Sequence, residues 1–128
     1  MAWSFSGDKP IFMQLVDKIT LDILTGKYSS GDRLPTVREI SLDAGVNPNT
    51  VQRALSEAET TGLVEIRRGD GSYVTSDQSI INEAREKKVA ELTNRFVSSL
   101  RSFGLSDSDM ETIVKESIKK ERKDSDNG

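Results

Sequence analysis

The sequence predicts a mainly helical protein with one small β-hairpin, and three observations lead to this fold class. Apolar residues recur at three- and four-residue intervals through most of the chain, as on one face of an α-helix. The period changes to about two only in the short stretch after Gly62. Gly, Pro, Asn and Ser separate these segments and mark the turns.

The first helix is expected to start near Pro10, with Asp8 as its cap, and to stop at Gly26. A loop follows up to Pro35. Thr36 then caps a second helix that ends at Gly45. The third helix begins almost at once and runs to Gly62. Asn47 is its predicted cap, and Pro48 lies in its first turn. Two short helices joined around a glycine are typical of a helix-turn-helix.

A hairpin is predicted directly after the third helix. Residues 63–66 form its first strand, 68–71 its turn and 72–75 its return strand. A hairpin at this place is a wing, so residues 1–75 are expected to form a winged helix-turn-helix domain. Neither this part nor the remainder is basic, since their net charges are −2 and −1. Any nucleic-acid binding must therefore depend on a local group of positive charges.

The remaining residues, 76–128, predict a two-helix dimerisation segment. One long helix ends at Gly104, Ser106 and Asp109 form a capping pair, and the last helix follows. We expect the charged tail 119–128 to fray. Two helices alone cannot bury their apolar stripe. The stripe packs either on the winged domain or, as we prefer, on a two-fold partner. Its members are Val89, Leu92, Phe96, Leu100, Phe103, Met110, Ile113 and Ile118.

Composition excludes several function classes. The chain has no Cys and no His, so thiolate sites and the commonest metal ligand are absent, and we expect neither a metal nor a cofactor. Because no nucleophile motif or pair of carboxylates stands out, an enzyme is not predicted. The longest uncharged stretch is Ala44–Gln52, far shorter than a membrane span. With no signal peptide at its start, the chain is expected in the cytoplasm.

The same uncharged stretch covers the turn and the first turn of the third helix. Its amides and hydroxyl can pair with base edges, and the free N–H groups of a helix start favour a phosphate. The alternative is a well-capped helix start without further role. Around it lie arginines that could contact the phosphate backbone, although single surface arginines are usually only solvated. The candidate DNA-binding residues are Arg38, Asn47, Asn49, Thr50, Gln52, Arg53, Arg67, Arg68 and Gly69.

Three segments resemble one known family. Residues 34–40 (LPTVREI), 45–55 (GVNPNTVQRAL) and 62–74 (GLVEIRRGDGSYV) are similar to the DNA-binding domain of GntR-type bacterial transcription regulators. The opening KPIF at 9–12 and the run NPNTVQRA resemble the short YtrA-like subfamily. The resemblance implies DNA contacts by Arg38, Asn49, Thr50, Gln52, Arg68 and Gly69. It also implies dimerisation through two C-terminal helices and repression of operons that include ABC transporters. Pro48 and Gln52 stand where other branches often have Arg, so base preference does not transfer.

These observations together predict a homodimeric, sequence-specific DNA-binding repressor with a palindromic operator in double-stranded DNA. The alternative is a winged helix used as a protein-interaction module, because the fold alone does not dictate function. The polar surface of 47–52 favours DNA, since a protein-binding helix would expose apolar anchors there. A small apolar effector is expected to bind between the C-terminal helices and the winged domains, lined by Phe96, Leu100 and Phe103.

Overall fold

The computed structural model describes residues 3–127 and contains five helices and one hairpin in that range. The helices are α1 (Ile11–Leu24), α2 (Val37–Ala44), α3 (Pro48–Thr60), α4 (Gln78–Ser102) and α5 (Asp107–Asn127). The strands β1 (Val64–Arg67) and β2 (Gly71–Val74) pair antiparallel, with Val64 opposite Val74. The predicted fold class, with a winged helix-turn-helix before two further helices, is confirmed.

Helix caps fix the positions of the two short helices. The Thr36 hydroxyl accepts a hydrogen bond from the Glu39 N–H at 3.1 Å and so caps α2. Gly45 ends α2 in the left-handed region, at φ 67°. The Asn47 side chain accepts from the Asn49 N–H at 2.8 Å and begins α3. The predicted cap of α1 is wrong: Pro10 itself occupies the cap position of α1, with no side-chain bond.

The core of the N-terminal part lies between α1 and α3. Leu15 and Ile23 of α1 are buried together with Val51 and Leu55 of α3, each at most 1% exposed. Burying side chains of this size stabilises the fold by about 1.5–3 kcal/mol each. Val64 and Val74 join the same cluster, so the wing is attached to the helices by shared core residues.

A short extended segment around Arg33, which sequence patterns did not indicate, pairs with the outer edge of β2. Arg33 forms an isolated antiparallel bridge with Tyr73. The Leu34 N–H donates to the Ser72 carbonyl, and the Val74 N–H donates to the Asp32 carbonyl, both at 2.8 Å. On the other edge, the Ile66 N–H of β1 donates to a carboxylate oxygen of Glu59 at 3.0 Å. The wing is therefore held from both sides.

The chain divides into two compact units, Met1–Glu86 and Lys87–Gly128. The sequence placed the boundary at Ser76, but the start of α4 belongs to the first unit. Ile81 is 2% exposed in that core, and the Arg85 Nε donates to the Leu24 carbonyl at the end of α1, at 2.8 Å. Apolar periodicity continues unbroken along α4, so it gives no sign of this division.

The second unit consists of the rest of α4, from Lys87 on, together with α5. Ser106 and Asp109 bond each other's backbone N–H groups at 3.1 Å, which confirms the predicted capping pair. The helix α5 then continues to Asn127. Residues 119–127, which we expect to fray, are thus helical. The spacing of Glu116 and Lys120, four residues apart, supports a helix, and the range of α5 contains no Gly or Pro that would interrupt it. Fraying stays a prediction, and Gly128 lies outside the described residues.

Candidate nucleic-acid interface

The predicted DNA-binding residues of α3 lie on its exposed side. Asn49, Gln52 and Arg53 are exposed, whereas Thr50 is half-buried. The opposite side of the helix carries Val51 and Ala54, both fully buried. This division fixes the rotation of α3, and its polar side chains face away from the core. The helix is placed as the recognition helix of a winged helix-turn-helix would be.

A cleft of about 240 Å³ joins α3 to the wing. Its lining includes Gln52 from α3 and, from the wing, Arg67, Arg68 and Gly69. Thr36, the cap of α2, also lines it. The structure therefore brings one polar side chain of the recognition helix together with the predicted cations of the wing. Arg38, Asn47, Asn49, Thr50 and Arg53 do not line this cleft.

The four predicted arginines differ in their surroundings. Arg38 and Arg68 are exposed, and neither side chain has an ion pair among the residues that the structure describes. Arg53 instead stacks on the ring of Phe12 in α1, at 3.7 Å from its centroid. Arg67 stacks on Tyr73, at 3.9 Å, and pairs with Glu65 at 3.7 Å. Two arginines are thus free to bind phosphate, and two are held on aromatic rings.

Asn47 has a structural role in this site, because its side-chain oxygen caps α3. Its amide NH₂ remains a donor. Sequence reasoning missed Arg33, which also lines the cleft and contacts the turn of the wing. The turn signals around Arg33 indicated only a loop. Nothing in the local pattern shows that this loop pairs with β2, which lies about forty residues later.

Comparison with known proteins decides the family. Residues 13–74 match the model of the gntR family of bacterial regulatory proteins. The uncharacterized HTH-type transcriptional regulator YhcF of Bacillus subtilis is 38% identical over 106 residues, which span 83% of this chain and 88% of YhcF. The chain belongs to the GntR family. As its relatives are named transcriptional regulators, this GntR protein is a DNA-binding transcriptional regulator and not an enzyme.

Further relatives are similar to this chain in sequence or in fold. The HTH-type transcriptional repressor YtrA of Bacillus subtilis is 29% identical over 108 residues, which span 84% of this chain and 83% of YtrA. A GntR family transcriptional regulator from Listeria monocytogenes has a TM-score of 0.82 at 37% identity, over 88% of this chain and 98% of that one. AraR(DBD), solved in complex with operator ORX1, has a TM-score of 0.53 at 26% identity, over 56% of this chain and 93% of the AraR(DBD) chain. The predicted resemblance to YtrA-type regulators is confirmed.

Within residues 3–127, none of the helices combines the length and apolar character needed to span a bilayer.

Proposed function

We propose that this GntR protein is a homodimeric repressor that binds a palindromic operator in the cytoplasm. The observation that carries the proposal is the cleft that joins Gln52 of α3 to Arg68 and Gly69 of the wing. A recognition helix with polar side chains can read base edges in the major groove, while a basic wing contacts the neighbouring backbone or groove. AraR(DBD) provides support, because it has the same fold and was solved with operator DNA.

The second unit supports the dimer. Several of its large apolar side chains are about half exposed or more, including Leu92 at 51%, Phe96 at 49% and Phe103 at 81%. A group of large apolar side chains that are exposed to this extent in one unit is typical of a protein interface. Leu92, Phe96 and Leu100 of α4, with Met110 and Val114 of α5, line an apolar groove of about 610 Å³. Met110 is 7% exposed and so belongs to the interior of this unit.

The regulated genes and the effector are further parts of the proposal. The repressor role follows the printed name of YtrA. The resemblance to the YtrA-like subfamily implies that the operon includes an ABC transporter. A small apolar effector beside Phe96, Leu100 and Phe103 stays a prediction; Phe96 and Leu100 line the groove defined above, whereas Phe103 does not. Such a compound changes DNA affinity only if it favours one arrangement of the dimer over another.

Titration of the full chain with DNA flanking its own gene tests the function. Footprinting should show two symmetric protected half-sites about one helical turn apart, or a multiple of that distance. Random DNA of equal length should bind far more weakly at the same salt concentration. Equal affinity for flanking and random DNA would exclude sequence-specific binding. A reporter under the protected promoter should lose expression when the regulator is produced, and a rise in expression would exclude repression.

A further inference from the structure

The backbone of Arg33 is fixed against the wing. Its bridge to Tyr73 is framed by two hydrogen bonds of 2.8 Å, one from Leu34 to Ser72 and one from Val74 to Asp32. The side chain of Arg33 therefore starts from a defined place beside β2, before α2 begins. Leu34, the next residue, is 3% exposed and anchors this segment in the core.

From that place, the Arg33 guanidinium reaches the turn of the wing. One terminal nitrogen donates to the Asp70 carbonyl at 2.6 Å, and the other lies 3.8 Å from the Asp70 carboxylate. The Tyr73 hydroxyl donates to the second carboxylate oxygen of Asp70 at 2.9 Å. Both the backbone and the side chain of Asp70 are thus held. We call Arg33, Asp70 and Tyr73 the wing clamp, and residues 68–70 the wing tip.

Gly71 leaves the space that the clamp needs. A Cβ at this position would lie 3.1 Å from a terminal nitrogen of Arg33 and 3.3 Å from its Nε, tighter than ordinary contact. The backbone φ of Gly71 is +156°, which side chains rarely adopt. A larger residue would displace the guanidinium from the turn. The absence of a side chain at 71 is therefore part of how Arg33 reaches Asp70.

The position of Asp70 makes stability alone a weak explanation. Arg33 and Asp70 have side chains that are 52% and 48% exposed, and ion pairs this exposed contribute little to folding. A carboxylate near the tip also repels DNA phosphates. The carboxylate directly follows Arg68 and Gly69, the predicted contact residues of the wing tip. What the clamp does provide is a fixed conformation for these two residues.

We propose that the wing clamp positions Arg68 for DNA, and that Arg33 and Tyr73 are positioning residues for operator recognition. This inference rests on the proposed function, in which Arg68 contacts the operator. Without the clamp, the tip samples more conformations, and ordering it on DNA costs binding free energy. The clamp therefore raises affinity for the operator through the geometry of Arg68, although one of its members carries a negative charge.

A double-mutant cycle on the full chain tests the clamp. Tyr73→Phe keeps the aromatic ring and the charge of the wing and removes only the hydroxyl that donates to Asp70. We expect a 3- to 10-fold loss of operator affinity, an unchanged salt dependence, and less than a 2-fold loss when Arg68→Ala is already present. Additive losses would overturn the clamp and leave the proposed function intact. No loss from Arg68→Ala alone would instead overturn the wing contact of the proposed function, and the clamp with it.

The variant Asp70→Ala gives a second test, because electrostatics and the clamp predict opposite changes in DNA affinity. Pure electrostatics predicts tighter DNA binding when a carboxylate is removed. The clamp predicts at least a 3-fold weaker affinity for the operator. Glu57→Ala is the matched control, since it removes an exposed carboxylate of α3 that has no hydrogen bond or ion pair of its side chain among the described residues. It should leave operator affinity unchanged or slightly tighter. If Asp70→Ala instead tightened operator binding as much as Glu57→Ala does, the proposal would be refuted.

Discussion

At the scale of single residues, the structure distinguishes arginines whose side chains are free from those already stacked on an aromatic ring. Arg53 stacks on Phe12 with its guanidinium 3.7 Å from the ring centroid. An exposed cation–π contact of this kind contributes about 0.5–1 kcal/mol. Arg53 can still meet a phosphate, but only from the place where Phe12 holds it. Arg38 and Arg68 have no comparable contact among residues 3–127.

The division of roles between amides and arginines gives a first prediction. Gln52→Ala should cost about 1–3 kcal/mol of binding free energy on the operator and little on random DNA, because Gln52 reads base edges. Arg38→Ala should weaken binding to both and reduce the salt slope by about one, because it contacts phosphate. Electrophoretic mobility shifts at several salt concentrations measure these effects. Equal losses on both DNAs for Gln52→Ala would contradict it.

Asp77, at the start of α4, gives a prediction about pH. The Ser79 hydroxyl and the Ser79 N–H donate hydrogen bonds to its carboxylate and lower its pKa from the ordinary value of 3.8. The folded state therefore binds the proton less readily, so this carboxylate stabilises fully above pH 3.8 and loses its contribution as pH falls towards its folded pKa. Denaturant titrations should show the difference between wild type and Asp77→Asn shrinking below pH 3.8. A difference independent of pH would exclude this role.

At the scale of the elements, the reciprocal cap of α2 positions the helix before the recognition helix. The Thr36 hydroxyl accepts from the Glu39 N–H and donates to its carboxylate, both at 3.1 Å. Thr36→Ala should lower the free energy of unfolding by about 1 kcal/mol. Urea unfolding measures it, and Thr36→Ser, which keeps the hydroxyl, is the control. Equal losses in the two variants would show that the methyl group, and not the cap, is responsible.

The sequence predicted those elements whose signals are local. Thr36, Asn47 and Ser106 are caps because a side-chain oxygen lies within a few residues of its N–H partners, and such spacing is visible in the chain. The pairing of Arg33 with Tyr73 joins residues far apart in sequence, so no local pattern could show it. The cap of α1 failed although its signal was local: Asp8 has the right residue type, but α1 begins after Pro10, which occupies the cap position.

The candidate site was predictable to the same extent. The exposure of Gln52 follows from helical periodicity, which assigns its neighbour Val51 to the core. The exposure of Arg68 follows from its place in the predicted turn of the hairpin. The stacking of Arg53 on Phe12 depends on how α1 crosses α3. That crossing is a tertiary property. Sequence therefore identified the residue types of the interface, whereas only the structure showed which arginines are held by rings.

At the scale of the whole molecule, the apolar face of the second unit predicts the oligomeric state. Phe96→Asp should produce monomers in sedimentation and lower operator affinity, since a monomer reads only one half-site. Helical content should persist, because Phe96 is 49% exposed. Ser98→Asp adds the same charge at an exposed position two residues along α4 and should remain dimeric. A wild-type chain that is monomeric at micromolar concentration would contradict the proposed dimer.

The two flanks of the wing have a consequence for aggregation. An open strand edge presents N–H and carbonyl groups to which another chain can add a strand. Here the segment 32–34 covers the outer edge of β2, and the Glu59 carboxylate accepts the outward Ile66 N–H of β1. Strand addition at either edge would have to displace one of these partners. Both edges of the hairpin therefore have a partner, which makes it a poor template for the growth of fibrils by strand addition.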